Sequence, residues 1–198
     1  MHKAVFLDRD GTLMTDVGYC ARPEDVSILP GVKDGLASLK AAGLCLVIVT
    51  NQSGIGRGYF SEPAFWAVQR ALEDQLGPGL IDAIYFCPDH PDRPTARRKP
   101  GPGMLLEAAR DLKIRLWDSY MVGDRPVDVE AGLAAGVRCC GYLGLLPSGN
   151  WPSARVFSAP CFSVATRTIL GDLKKGQPAG GPDRDDSGGV AAFKGRLT

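Results

Sequence analysis

Apolar residues fall along this chain in short unbroken runs, each ending in a polar turn. Between the runs, apolar positions recur every three or four residues. Ala4-Val5-Phe6-Leu7, 44–49, 83–87, Tyr120-Met121-Val122 and 137–143 are runs of the first kind. Such runs read as strands covered on both faces, as in a parallel sheet. Val32, Leu36 and Leu39 share one helical face and predict a helix over about 31–42, ended by Gly43. Ser61 reads as the N-cap of a helix reaching about Gln75, with Phe65, Val68 and Leu72 inward. Helices are also expected over 104–112 and from the turn at Asp124 to about Ala135. Strands alternating with helices predict the α/β class: a doubly wound, Rossmann-like parallel sheet with right-handed crossovers.

The segment 14–30 shows no periodicity and reads as irregular. From Lys174 the composition turns to Gly, Pro, Asp and Lys, too polar to bury a core, so 1–173 is expected as the domain and 174–198 as a disordered tail. No internal repeat is visible.

At 198 residues the chain is long enough for a substantial core, and 44% hydrophobic with 23% charged residues is ordinary for a soluble protein. A formal net charge of +1 gives no broad attraction to nucleic acid or to a membrane surface. The six cysteines form no CxxC pattern and several lie in apolar runs, including the Cys139-Cys140 pair. They read as reduced, buried thiols in a cytoplasmic protein. No segment has the length of a membrane span, and the start is too short before Asp8 for a signal peptide.

Polar clusters sit where the apolar runs stop. Asp8-Arg9-Asp10-Gly11-Thr12 follows the first run, Thr50-Asn51-Gln52-Ser53-Gly54 the second, and Gly123-Asp124 with Asp128 the fourth; Arg98-Lys99 precedes a helix. In an open parallel sheet ligands bind beyond the carboxyl ends of the strands, so these clusters can converge. A calcium loop from Asp8 is excluded, because its twelfth position is Tyr19 rather than Glu. Carboxylates from Asp8, Asp10 and Asp124 would repel by about 4 kcal/mol per pair at ~4 Å and an effective dielectric near 20. A divalent cation with hard oxygen ligands offsets that repulsion, and Mg²⁺ suits a site with few carboxylates. A carboxylate attacking a phosphoryl group is anion against anion, so the same cation and Lys99 would serve that chemistry.

In order along the chain, DRDGT, TNQSG, RRKPGPGM and GDRPVD match the four motifs of the haloacid dehalogenase superfamily of phosphatases, which this chain resembles over about residues 3–144. Its wording lies nearest the branch that holds the histidinol-phosphate phosphatases and their sugar-phosphate relatives. The resemblance implies a Mg²⁺-dependent phosphomonoesterase that forms an aspartyl-phosphate on Asp8. Asp10 would be the general acid–base, and Thr50, Asn51 and Lys99 would hold phosphoryl oxygens. Ser53, Arg98 and Arg57 would complete substrate binding. Asp8, the Asp10 main-chain carbonyl, Asp124 and Asp128 would hold the metal. Relatives often carry a zinc loop, whose places here are Cys87, Asp89, Thr95 and Arg97, with His90 one place off. One soft ligand in register does not make such a site, so structural zinc is not expected.

No room remains between the motifs for a separate cap domain, so loops 14–30, 54–60 and 88–97 are expected to select a small phosphorylated substrate, a sugar phosphate first. A monomer is the expected state. Gly54 to Gly58 lacks the third glycine of a dinucleotide fingerprint, Tyr59 standing in its place, and reads as a flexible loop beside the phosphate. Arg97-Arg98-Lys99 reads as a local phosphate grip, with no nucleic-acid partner. The alternatives are histidinol phosphate as substrate, or a phospho-acceptor module that does not turn over. Asp10 argues against the module, since a stable phospho-aspartate needs no acid–base beside it.

Overall fold

The computed structural model describes residues 1–145 and 154–175. Six parallel strands form one sheet: β1 (Ala4–Leu7), β2 (Cys45–Asn51), β3 (Ala83–Cys87), β4 (Tyr120–Gly123), β5 (Cys139–Leu143) and β6 (Val156–Ala159), in the spatial order β3-β2-β1-β4-β5-β6. The first strand therefore lies inside, paired with β2 on one edge and β4 on the other. Strand order reverses at this point, and there a crevice opens at the carboxyl ends.

Side chains of β1 alternate between two cores. Val5 and Leu7 join a cluster with α1 (Val32–Ala41), α3 (Glu62–Leu76) and α6 (Phe162–Lys174). Ala4 and Phe6 join a second cluster with α4 (Gly103–Asp111) and α5 (Pro126–Ala135). Helices thus cover both faces, and the sheet is doubly wound as expected. α3 starts as its sequence indicates, the Ser61 hydroxyl accepting from the Ala64 N–H at 3.4 Å. α5 ends at Gly136, in the left-handed conformation that residues with a Cβ resist.

Four elements go beyond the sequence reading. The Gly54–Gly58 stretch is not a free loop: Ser53–Gly56 form a single helical turn, α2, because Gly56 packs against Pro88, donating to its carbonyl at 3.0 Å. Residues 14–30 are not wholly irregular, since Thr15 donates to Ser27 at 2.9 Å, Leu29 to Leu13 at 3.1 Å, and Pro23–Asp25 form a 3₁₀ turn. β6 and α6 were not anticipated, although Phe162, Ala165, Thr166 and Ile169 carry helical spacing and are buried. The tail expected over 174–198 lies outside the described residues from 176 onward. Among the described residues no helix is long and apolar enough to cross a membrane, and Cys20, Cys87 and Cys140 are buried free thiols.

Candidate active site

The turn after β1 is tight: the Arg9 carbonyl accepts from the N–H groups of Leu13 at 2.9 Å and Met14 at 3.2 Å. Gly11 takes φ +82°, and a Cβ built there would meet Asp124 Oδ2 at 2.2 Å. The glycine therefore lets the β1 turn and the β4 turn touch. Asp8 N–H donates to Val122 O at 3.0 Å, joining the same two turns.

Lys99 arrives at this junction buried, at 3% exposure. Its ammonium donates to Asp8 Oδ1 at 2.7 Å and to Val49 O at 2.8 Å. Asp128 Oδ1 lies 2.6 Å from it, an ion contact without hydrogen-bond geometry. The Asn51 carboxamide holds the Lys99 backbone from both sides, donating to its carbonyl at 3.0 Å and accepting from its N–H at 3.1 Å. Asp128 is fixed in turn by the Arg125 N–H, 3.0 Å from Oδ2, and the Thr12 hydroxyl donates to Asp124 at 3.3 Å.

Carboxylate oxygens of Asp8, Asp124 and Asp128 lie within 4.8 Å of one another. Three acids against one ammonium leave a net negative charge at the junction. Burial pushes Asp124 up to about 7, with the charges of Asp8 and Asp128 adding to the shift. Asp8 is raised as well, chiefly by burial, with Lys99 opposing. Burial alone would lower Lys99, yet Asp128 and Asp8 hold it above its ordinary value. Clustered hard oxygens, one of them reluctant to ionise without further positive charge, fit a divalent cation such as Mg²⁺.

Asp8, Lys99 and Asp128 floor a cleft of about 520 Å³, and Asp124 stands beside them without lining it. Thr50, Asn51, Ser53, Arg98 and Asp10 line it. Asn51 does so with its carboxamide spent on the Lys99 backbone, and Arg98 reaches the Asp89 carbonyl at 3.4 Å. Arg57 does not line the cleft: it caps the C-terminal end of α2, exposed, where the helical turn carries it outward. Of the three loops expected to select substrate, 14–30 gives Asp16, Gly18 and Tyr19 to the lining, whereas 54–60 gives only Gly54. Residues 88–97 contribute no lining side chain and pack behind α2 instead. There Asp89 accepts from the Thr95 N–H at 2.7 Å, so two of the zinc-loop places bond each other directly.

Several residues at the cleft or directly behind it were not singled out from sequence. Arg125 pairs with Asp16 at 2.6 Å across the cleft mouth, and Tyr19 meets Tyr59 edge-on at 4.7 Å between centroids. Arg9 is fully buried and paired with Asp10, and Gln52 bridges Asp10 and Thr50. Gln52 stands inside the TNQSG stretch and Arg9 between the two aspartates, which was the available signal.

The profile of the haloacid dehalogenase-like hydrolases matches residues 15–136. The chain is 46% identical over 143 residues to the D-glycero-beta-D-manno-heptose-1,7-bisphosphate 7-phosphatase of Yersinia pestis, covering 68% of this chain and 76% of that one. It is 40% identical over 145 residues to the D-glycero-alpha-D-manno-heptose-1,7-bisphosphate 7-phosphatase of Burkholderia mallei, covering 69% and 77%. Among solved structures, the D,D-heptose 1,7-bisphosphate phosphatase from B. bronchiseptica, complexed with magnesium and phosphate, superposes with a TM-score of 0.79 at 30% identity. That match covers 86% of this chain and 99% of the other.

Proposed function

Since the chain belongs to the haloacid dehalogenase-like hydrolase family, we propose that it removes the 7-phosphate of D-glycero-D-manno-heptose 1,7-bisphosphate, working as a Mg²⁺-dependent phosphomonoesterase through an aspartyl-phosphate on Asp8. The observation that carries this reading is the buried Lys99 ammonium set between Asp8 and Asp128, with Asp124 in the same carboxylate cluster. Relatives of 40–46% identity acting on this sugar bisphosphate support the substrate.

Asp8 forms a bond to phosphorus as the phosphorus–oxygen bond to the sugar breaks, and Asp10 gives its proton to the departing alkoxide. Water then attacks phosphorus and its proton passes to Asp10. The Asp8–phosphorus bond breaks, releasing inorganic phosphate and restoring both carboxyl groups. Mg²⁺, held by Asp8, Asp124, Asp128 and the Asp10 carbonyl, would offset negative charge on the phosphoryl oxygens. Lys99 orients Asp8 and adds fixed positive charge where two anions meet. The Thr50 hydroxyl and Ser53 face the phosphoryl group, and Arg98 faces the rest of the substrate. A cleft of about 520 Å³ suits a phosphorylated sugar. Free thiols and this sugar substrate support a cytoplasmic place in nucleotide-heptose synthesis.

The experiment is phosphate release with Mg²⁺ from both anomers of the heptose bisphosphate and from histidinol phosphate. Turnover is expected to be fastest on a heptose bisphosphate; faster histidinol-phosphate hydrolysis would reassign the substrate. Asp8→Asn is expected to lose turnover by at least about 10⁴-fold with its fold intact, and residual activity near wild type would remove Asp8 from the nucleophile's role.

A further inference from the structure

Asp10 does not stand free in the cleft. Its carboxylate accepts three N–H bonds, from Arg9 Nε at 3.1 Å, Arg9 Nη2 at 3.1 Å and Gln52 Nε2 at 2.8 Å. The ring closes because Arg9 Nη2 also donates to Gln52 Oε1 at 3.2 Å. Arg9 is fully buried, its Cζ 5.1 Å from the Phe65 ring centroid, and Gln52 is 5% exposed.

An amide can point either way, and here the neighbours decide. Arg9 has only donors, so Gln52 must turn its oxygen toward Arg9 and its NH₂ toward the cleft. That NH₂ then serves two acceptors, Asp10 Oδ2 and, at 2.8 Å, Thr50 Oγ1. A Thr50 hydroxyl that accepts from Gln52 keeps its own hydrogen for an anion in the cleft. One buried guanidinium thus sets the amide, and the amide sets both the acid–base carboxyl and a phosphate donor.

We propose that Arg9 and Gln52 are positioning residues for the reaction: they hold Asp10 oriented for proton exchange with the leaving alcohol and water, and they keep the Thr50 hydroxyl a donor toward phosphate. This rests on the aspartyl-phosphate reading given above. A merely structural clamp would weaken every substrate alike. A positioning clamp matters most where the leaving group needs a proton, and least where it leaves unaided as an aryl oxide.

The test compares Gln52→Leu and Gln52→Glu with the wild type in single-turnover phosphate transfer, with Mg²⁺, on heptose 1,7-bisphosphate and on p-nitrophenyl phosphate. Gln52→Glu keeps the volume and the Arg9 pair but removes both donated hydrogens. Transfer from the sugar ester is expected to fall about 10- to 100-fold in both variants, and the sugar-to-aryl rate ratio at least tenfold. Inhibition by inorganic phosphate is expected to weaken severalfold as the Thr50 hydroxyl turns away. An unchanged ratio in variants that melt like the wild type overturns the proposal, and so does unaltered phosphate inhibition. If Gln52→Leu does not fold, Gln52→Glu and Arg9→Lys, which keeps the charge but loses the fork, carry the same comparison. Asp8→Asn run alongside separates the two readings. Activity in that variant would remove the aspartyl-phosphate, whereas an inert Asp8→Asn with an unchanged ratio removes only the clamp.

Discussion

At Gly11 two turns share space that a methyl group would fill. A Cβ there would sit 2.2 Å from Asp124 Oδ2, on a backbone at φ +82°. Gly11→Ala is therefore expected to cost about 1–3 kcal/mol of stability from the strained backbone. It should also weaken Mg²⁺ binding at least tenfold by displacing Asp124, both measurable by urea unfolding and titration calorimetry. Asp124 makes a second prediction. A carboxyl raised from 3.8 to about 7 binds its proton more tightly in the fold than in the unfolded chain. Its contribution to metal-free stability is thus full below pH 3.8 and is lost as pH rises through about 7. Asp124→Asn, which has no charge to acquire, should gain on the wild type over that window, and a stability difference flat with pH would contradict this. The convergence of Asp8, Lys99 and Asp124 was legible because each stands where an apolar run stops or beside a basic pair, with Asp128 one helical turn beyond Asp124. Arg9 and Gln52 were not, since the meaning of a buried guanidinium lies in the amide it turns, 43 positions away.

Among the elements, strands β1, β2 and β4 were readable because burial on both faces leaves an unbroken apolar run; β3, at one edge of the sheet, and β5 are only partly buried, yet neither strand carries a charged residue. β6 was not, because the exposed Ser158 interrupts its short run of Val156, Phe157 and Ala159. The short turn α2 has no periodicity to show; it exists because Gly56 fits against Pro88, where a Cβ would meet the carbonyl at 2.4 Å. The join between α1 and α6 depends on a similar fit. A Cβ on Gly35 would meet Thr166 Oγ1 at 2.7 Å and the Phe162 ring at 2.8 Å. Alanine is the better helix former by about 1 kcal/mol, yet Gly35→Ala is expected to destabilise by about 1–3 kcal/mol through overpacking. Denaturant midpoints would check the sign. Ile169→Ala on the facing helix should cost about 2–5 kcal/mol for the methyl groups it removes.

For the molecule as a whole, one net negative junction sits at the centre of the sheet and draws on three of its strand ends. A cation that binds the folded chain alone should raise its stability by about 2.7 kcal/mol at a hundred times its dissociation constant. Melting curves with and without Mg²⁺ are expected to show this, and the shift should shrink in Asp124→Asn. The placing of β1 between β2 and β4 has a kinetic side as well. Asp8 and its lysine partner are 91 positions apart, and the strand that brings Asp124 pairs with β1 from the opposite edge. No local fragment can assemble that trio, because closing such long loops precedes any contact that rewards it. Turnover is therefore an all-or-none report on maturation: a nascent or half-collapsed chain is silent, and the first hydrolysed ester announces that both flanks of the sheet have docked.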